Sequence, residues 1–161
     1  MMYRPYFNTV TMVGDPSVID FAINETTVDP DAGLFETLIG RNLNIDDEYT
    51  HNVSMYGTTH DVVIGTTQVF TRHDLDKWTF GFRTRMMPVE FLSGLARRFR
   101  CAVLYHVESC AETDAWFHLY ITFNRHGHAT YTGQTPPDSM ADLPVYQSTQ
   151  SEKHHERISN D

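Results

Sequence analysis

At 161 residues, 40% hydrophobic and 20% charged, the chain fits one globular domain with an apolar core, which excludes a disordered chain and makes disulfides or a structural metal unnecessary. No apolar run approaches the roughly 20 residues that span a bilayer, and the opening MMYRPYFNTV lacks the long apolar stretch of a secretory signal, so no membrane is expected and the cytoplasm is the default location. A formal charge of −9 opposes indiscriminate binding to nucleic acid and favours basic protein surfaces.

The first strand is expected over Tyr6 to Val13, where Phe7, Val10 and Met12 roughly alternate with Asn8, Thr9 and Thr11. Gly14-Asp15-Pro16-Ser17 ends it, and Asp15 before Pro16 is a helix start with proline in the first turn. Val18, Ile19, Phe21, Ala22 and Ile23 supply the apolar side of that helix. Leu34, Phe35, Leu38 and Ile39 then fall at helical spacing and predict a second short helix ending near Gly40. Asn42 to Thr50 reads as an acidic loop and Asn52 to Tyr56 as a brief strand. Gly57 to Thr67 follows, rich in Thr and Gly and interrupted by Val62-Val63-Ile64.

Trp78, Phe80 and Phe82 alternate with Lys77, Thr79, Gly81 and Arg83, the clearest strand in the chain, with one aromatic face. Pro88 opens a helix carrying Val89, Phe91, Leu92, Leu95, Ala96 and Phe99, closed by Arg97, Arg98 and Arg100, where cations complement the helix dipole. Ala102 to Val107 is the next strand, Glu108 to Asp114 a turn, and Trp116 to Phe123 a further alternating strand. Asn124-Arg125-His126-Gly127 is a hairpin turn into His128 to Thr132. Residues 134–161 are polar and read as a flexible tail. This order predicts an α+β domain over 1–133, with an acidic insertion at about 26–50 and helices on one face of a mainly antiparallel sheet, in the ferredoxin-like manner.

Nine histidines and two cysteines invite a metal, but no spacing matches a four-ligand site, and Cys101 and Cys110 read as reduced thiols. A two-histidine phosphoesterase built on His60 and His118 would need an aliphatic hydroxyl two residues after each; Val62 offers none, and the phenol of Tyr120 is a poor substitute. Asp46-Asp47-Glu48 reads as a solvated acid run, and no phosphate loop, nucleophile elbow or dinucleotide fingerprint is present. No catalytic residue, cofactor or metal is therefore expected.

Charge is unevenly divided. Between Asp15 and Asp61 ten acids face Arg41 alone, whereas between Thr71 and Arg100 seven bases face three acids. The acids Asp29, Asp31, Glu36, Asp46, Asp47 and Glu48 form the candidate partner-binding surface.

Three stretches carry a family likeness: Asn8 to Gly14 running into a helix; Tyr56-Gly57-Thr58-Thr59-His60-Asp61-Val62, which looks like an aromatic-Gly-Thr-x-x-Asp-Val signature; and Phe80 through Met86-Met87-Pro88 and the Phe91-to-Phe99 helix to Tyr105-His106-Val107-Glu108. On these residues the chain resembles the Api-like accessory proteins of bacteriophages and plasmids, a family assigned a ferredoxin-like fold and no established activity. The chain departs from the pattern by placing Tyr56 where Trp is usual and His60 where a second aromatic is common. In the signature, Tyr56, Gly57, Thr58 and Asp61 are expected to be structural, with a turn at Gly57 and Thr59 or Asp61 bonded to the local backbone.

The resemblance implies mobile-element ancestry and an accessory protein that works in the host cytoplasm. The expected function is non-enzymatic: binding and inhibition of a host protein with a basic surface, a defence protein included, by an acidic surface that imitates nucleic acid. The alternative is a single-stranded nucleic-acid binder, stacking bases on Trp78, Phe80, Phe82, Trp116 and Tyr120 beside Arg83, Arg85, Arg97, Arg98 and Arg100. The same aromatic face, if exposed, would serve a homo-oligomer.

Overall fold

A computed structural model describes residues 5–69, 72, 74–109, 116–140 and 143. The alternating segment at the start forms β1 (Tyr6–Val13). Asp15 then caps α1 (Pro16–Glu25), its carboxylate accepting from the Ser17 N–H at 2.9 Å. Next come α2 (Leu34–Ile39), α3 (Glu48–Tyr56) and the two-residue β2 (Gln68–Val69). The second half holds β3 (Lys77–Thr84), α4 (Val89–Phe99), β4 (Ala102–Ser109), β5 (Phe117–Phe123) and β6 (Ala129–Gly133).

The strands make one open sheet in the order β2-β3-β1-β4-β5-β6, each neighbouring pair antiparallel. The domain is thus α+β, compatible with a ferredoxin-like fold. Register decides the faces: Val10 lies opposite Phe80 and Tyr105, and Met12 opposite Trp78 and Val103, so these side chains share one face. That face meets Ile19, Phe35, Leu38, Phe91, Leu92, Leu95 and Phe99 of the helices in a single apolar cluster. Burial of each large side chain there contributes roughly 1.5–3 kcal/mol.

Three expectations need correction. Residues 47–56 are neither acidic loop nor strand, for Glu48–Tyr56 is α3. Asp47 caps its start, accepting from the Thr50 N–H at 2.8 Å, and Gly57 at φ 80° stops it. Glu108 and Ser109 belong to β4 rather than to a turn; residues 110–114, the rest of that turn, lie outside the described residues. Finally, Trp78, Phe80 and Phe82 are buried beneath the helices, so β3 presents no aromatic face for bases or for a second copy.

The stretch 26–50 is not a peripheral excursion. It carries Leu34, Phe35 and Leu38 into the centre of the core, with Phe35 stacked on Phe91 at a centroid distance of 4.2 Å. The expected flexible tail, 134–161, is described only at 134–140 and 143, where Asp138–Met140 form a short 3-10 helix with Met140 buried, so its first part is ordered; its remaining residues lie outside the described ones.

Candidate functional site

The signature residues of 56–62 hold the helix layer together. Tyr56 Oη donates to the Gly40 carbonyl at 2.8 Å, and its ring packs 5.4 Å from Phe35. Burial pushes this phenol well above its ordinary pKa, so it remains a donor. At Gly57 a Cβ would sit 2.5 Å from Glu90 Oε2 on α4, so glycine permits both the left-handed turn and the close approach of α3 to α4. Thr58 is buried.

Asp61 supplies the cap that Gly33, at the start of α2, cannot. Its Oδ1 accepts from the Phe35 N–H at 2.8 Å and from the Val62 N–H at 2.6 Å, and Oδ2 accepts from the Glu36 N–H at 3.0 Å. A Cβ at residue 33 would collide with this carboxylate. The expected structural role thus takes a longer reach, because two of the three bonds cross from 61 to 35 and 36.

The six acids proposed for docking are all exposed around the α1–α2 and α2–α3 connections. Four have local duties. Asp47 caps α3, Glu48 pairs with Arg41, and Glu36 lies 3.8 Å from the same guanidinium. Bonds from Thr50 hold Asp47 below the usual carboxylate range, and Arg41 does the same for Glu48, so both stay charged. Asp29 accepts from the Asp31 N–H at 2.9 Å. Among these acids in sequence stand Val28, Leu43 and Tyr49, 79%, 83% and 64% exposed. Sequence reasoning passed over these three, since only burial distinguishes an exposed apolar residue from a core one.

The five arginines of the nucleic-acid alternative do not form one track. Arg83 and Arg85 stand at and just past the C-terminal end of β3, whereas Arg97, Arg98 and Arg100 stand at the far end of α4, a helix about 16 Å long. Arg97 and Arg100 instead join Arg125 and His126 of the β5–β6 turn around a pocket of about 420 Å³. The sequence placed the first two at a helix end, but only the folded hairpin brings the others beside them. Arg97, Arg98, Arg100 and Arg125 form no ion pair among the described residues.

A polar group lies on the sheet face turned away from the helices. His106 is 3.8 Å from Glu108, its ring is 4.7 Å from Tyr120, and His118 lies 5.8 Å away. His106 and Glu108 are only 3% and 7% exposed, which leaves little of the pair for a substrate to reach. His60 is exposed after α3 and contacts Thr59, so it shares no site with His118. Among the described residues no group of three or more His, Cys, Asp or Glu side chains could hold a metal. Cys101 is buried, which pushes its thiol up to about 12, so it stays protonated at neutral pH. Cys110 lies outside the described residues. No helix among the described residues is long and apolar enough to cross a membrane.

Compared with protein-family models, with curated proteins and with solved structures, the chain finds no match.

Proposed function

We propose that the chain is a non-enzymatic binding protein that docks the acidic edge of its helix layer on a basic surface of a host protein and blocks it. The observation that carries this reading is the mixture of exposed Val28, Leu43 and Tyr49 with Asp29, Asp31 and Asp46. Apolar anchors within a charged rim are the usual composition of a protein-docking surface. The carboxylates select a basic partner and speed its approach, and a surface that ordinarily receives nucleic acid is such a partner. The likeness to phage and plasmid accessory proteins supports a cytoplasmic host target. A ferredoxin-like reading of the sheet agrees with the fold that likeness implies: β3-α4-β4 encloses β1, and β1 through β2 encloses β3, with β5 and β6 added at one edge.

Tagged protein is expected to retain a stoichiometric basic partner from host lysate at about 0.05 M salt and to release it at about 0.5 M, where charge attraction is screened within a few ångströms. Tyr49→Ala is expected to weaken capture about tenfold or more. The triple change Asp29→Lys, Asp31→Lys, Asp46→Lys is expected to abolish it. All four side chains are exposed, so Tyr49→Ala should leave the melting temperature unchanged and the triple variant should lose only the small contribution of the Asp29 bond to the Asp31 N–H. Undiminished capture by both variants, or capture of nothing at either salt, would sink the reading.

A further inference from the structure

We propose that the pocket between the C-terminal end of α4 and the β5–β6 turn is a binding site for a small polyphosphate, namely pyrophosphate or the phosphate chain of a nucleotide. This site is separate from the acidic edge and does not depend on the docking reading. Among the described residues its lining is Arg97, Arg100, Arg125 and His126, with no carboxylate, around about 420 Å³. The chain has 21 acids to 12 Lys and Arg, and two arginines away from the pocket are paired with acids: Arg41 with Glu48 and Glu36, and Arg72 with Asp20. Three guanidiniums gathered without a counter-charge among the described residues repel one another, and an anion between them removes that cost. Guanidinium forks suit phosphate oxygens two at a time.

The pocket is held in shape. Ser93 Oγ donates to the Gly127 carbonyl at 2.7 Å and accepts from Arg97 Nη1 at 2.7 Å, tying the turn and the arginine to α4. Asn124 Oδ1 accepts from the His126 N–H at 2.9 Å and the His128 N–H at 3.1 Å, which fixes the turn itself. Gly127, at φ 84°, allows the contact, since a Cβ would lie 2.7 Å from Ser93 Oγ.

Cations at a helix C-terminus also complement the dipole, and that accounts for Arg97 and Arg98. It accounts for neither Arg125 nor the backbone of Arg100. Among the described residues Arg100 is the one non-glycine with positive φ, 49°, at the helix end where glycine is the relaxed choice. An arginine held where glycine would sit without strain fits a guanidinium retained to line this pocket. The C-terminal carbonyls of α4 oppose an anion with about half a charge, and three guanidiniums outweigh that.

Titration calorimetry with sodium pyrophosphate on the full chain tests the site. Pyrophosphate and ATP are expected to bind, with orthophosphate about tenfold weaker or more because it reaches fewer guanidiniums. Arg125→Ala and Arg100→Gly are each expected to weaken pyrophosphate about tenfold or more. Arg100→Gly should also raise the melting temperature by about 2–4 °C, since it relieves the left-handed backbone. Lys77→Ala removes a charge from the sheet's other face and should leave binding within about twofold. The proposal is overturned by wild-type protein that gives no heat with pyrophosphate, by equal losses in Lys77→Ala and Arg125→Ala, or by an Arg100→Gly variant that binds pyrophosphate undiminished. It is overturned equally if a single-stranded oligonucleotide binds while pyrophosphate and ATP do not.

Discussion

Phe35→Ala is expected to destabilise the fold by about 3–5 kcal/mol, a large share of the roughly 5–15 kcal/mol that holds such a domain together. Phe35 is fully buried and touches rings from three other elements: Phe91 of α4 at 4.2 Å, and Phe82 of β3 and Tyr56 of α3 at 5.4 Å each. Truncation would open a cavity where these elements meet, and none can collapse into it without parting from another. Phe35→Leu keeps most of the volume and should cost less than about 2 kcal/mol. Urea denaturation of both variants provides the check. A cost below about 1 kcal/mol for the alanine would mean that 26–50 is peripheral after all.

Asp61→Ala is the second large effect, expected at about 2–3 kcal/mol, because it strands two amide donors of α2 and one at Val62. Asp61→Asn keeps one acceptor oxygen and should fall between alanine and wild type. Burial holds the Asp61 carboxyl above its ordinary pKa, outweighing the three amide bonds that favour its charge. Between the ordinary carboxylate value and that raised one, the folded chain keeps a proton that the unfolded chain has released. Its contribution to stability is therefore complete at lower pH and is lost as pH rises through the folded value. Asp15, Asp47 and Glu48 are shifted downward and act in the opposite sense. Subtracting the stability curve of Asp61→Asn from that of wild type isolates the Asp61 slope. A difference that stays flat with pH would count against a raised carboxyl at this position.

Where a fold element announces itself by period or punctuation, the chain was readable. Asp15-Pro16 starts α1, Gly40 follows α2, and the alternation of Lys77 to Arg83 and the stripe from Leu92 to Phe99 gave β3 and α4. Helix α3 escaped because it buries His51 and Asn52 beside Tyr56, and a search for apolar spacing does not see polar side chains facing inward. His51 earns that position by accepting the Asn42 N–H at 2.9 Å, and Asn52 by donating to the Thr59 carbonyl at 3.1 Å. Both partners are loop groups set by the folded chain. The aromatics of β3 were legible as a face, but alternation alone does not say which side the helices cover. The basic pocket was half legible: Arg97 and Arg100 stand in a visible run, whereas Arg125 and His126 arrive only when the hairpin folds back on Ser93.

The sheet ends on β6, whose outer side no described strand pairs. A bare rim of that kind recruits copies of itself and seeds filaments. Here the ladder between β5 and β6 slips register between Tyr120 and Ile121, and the last strand is only five residues long. A bulge sharpens the local twist and turns the rim out of plane, so a second molecule would find too little straight backbone to zip onto. The irregularity in the hairpin makes that rim a poor template for a second copy.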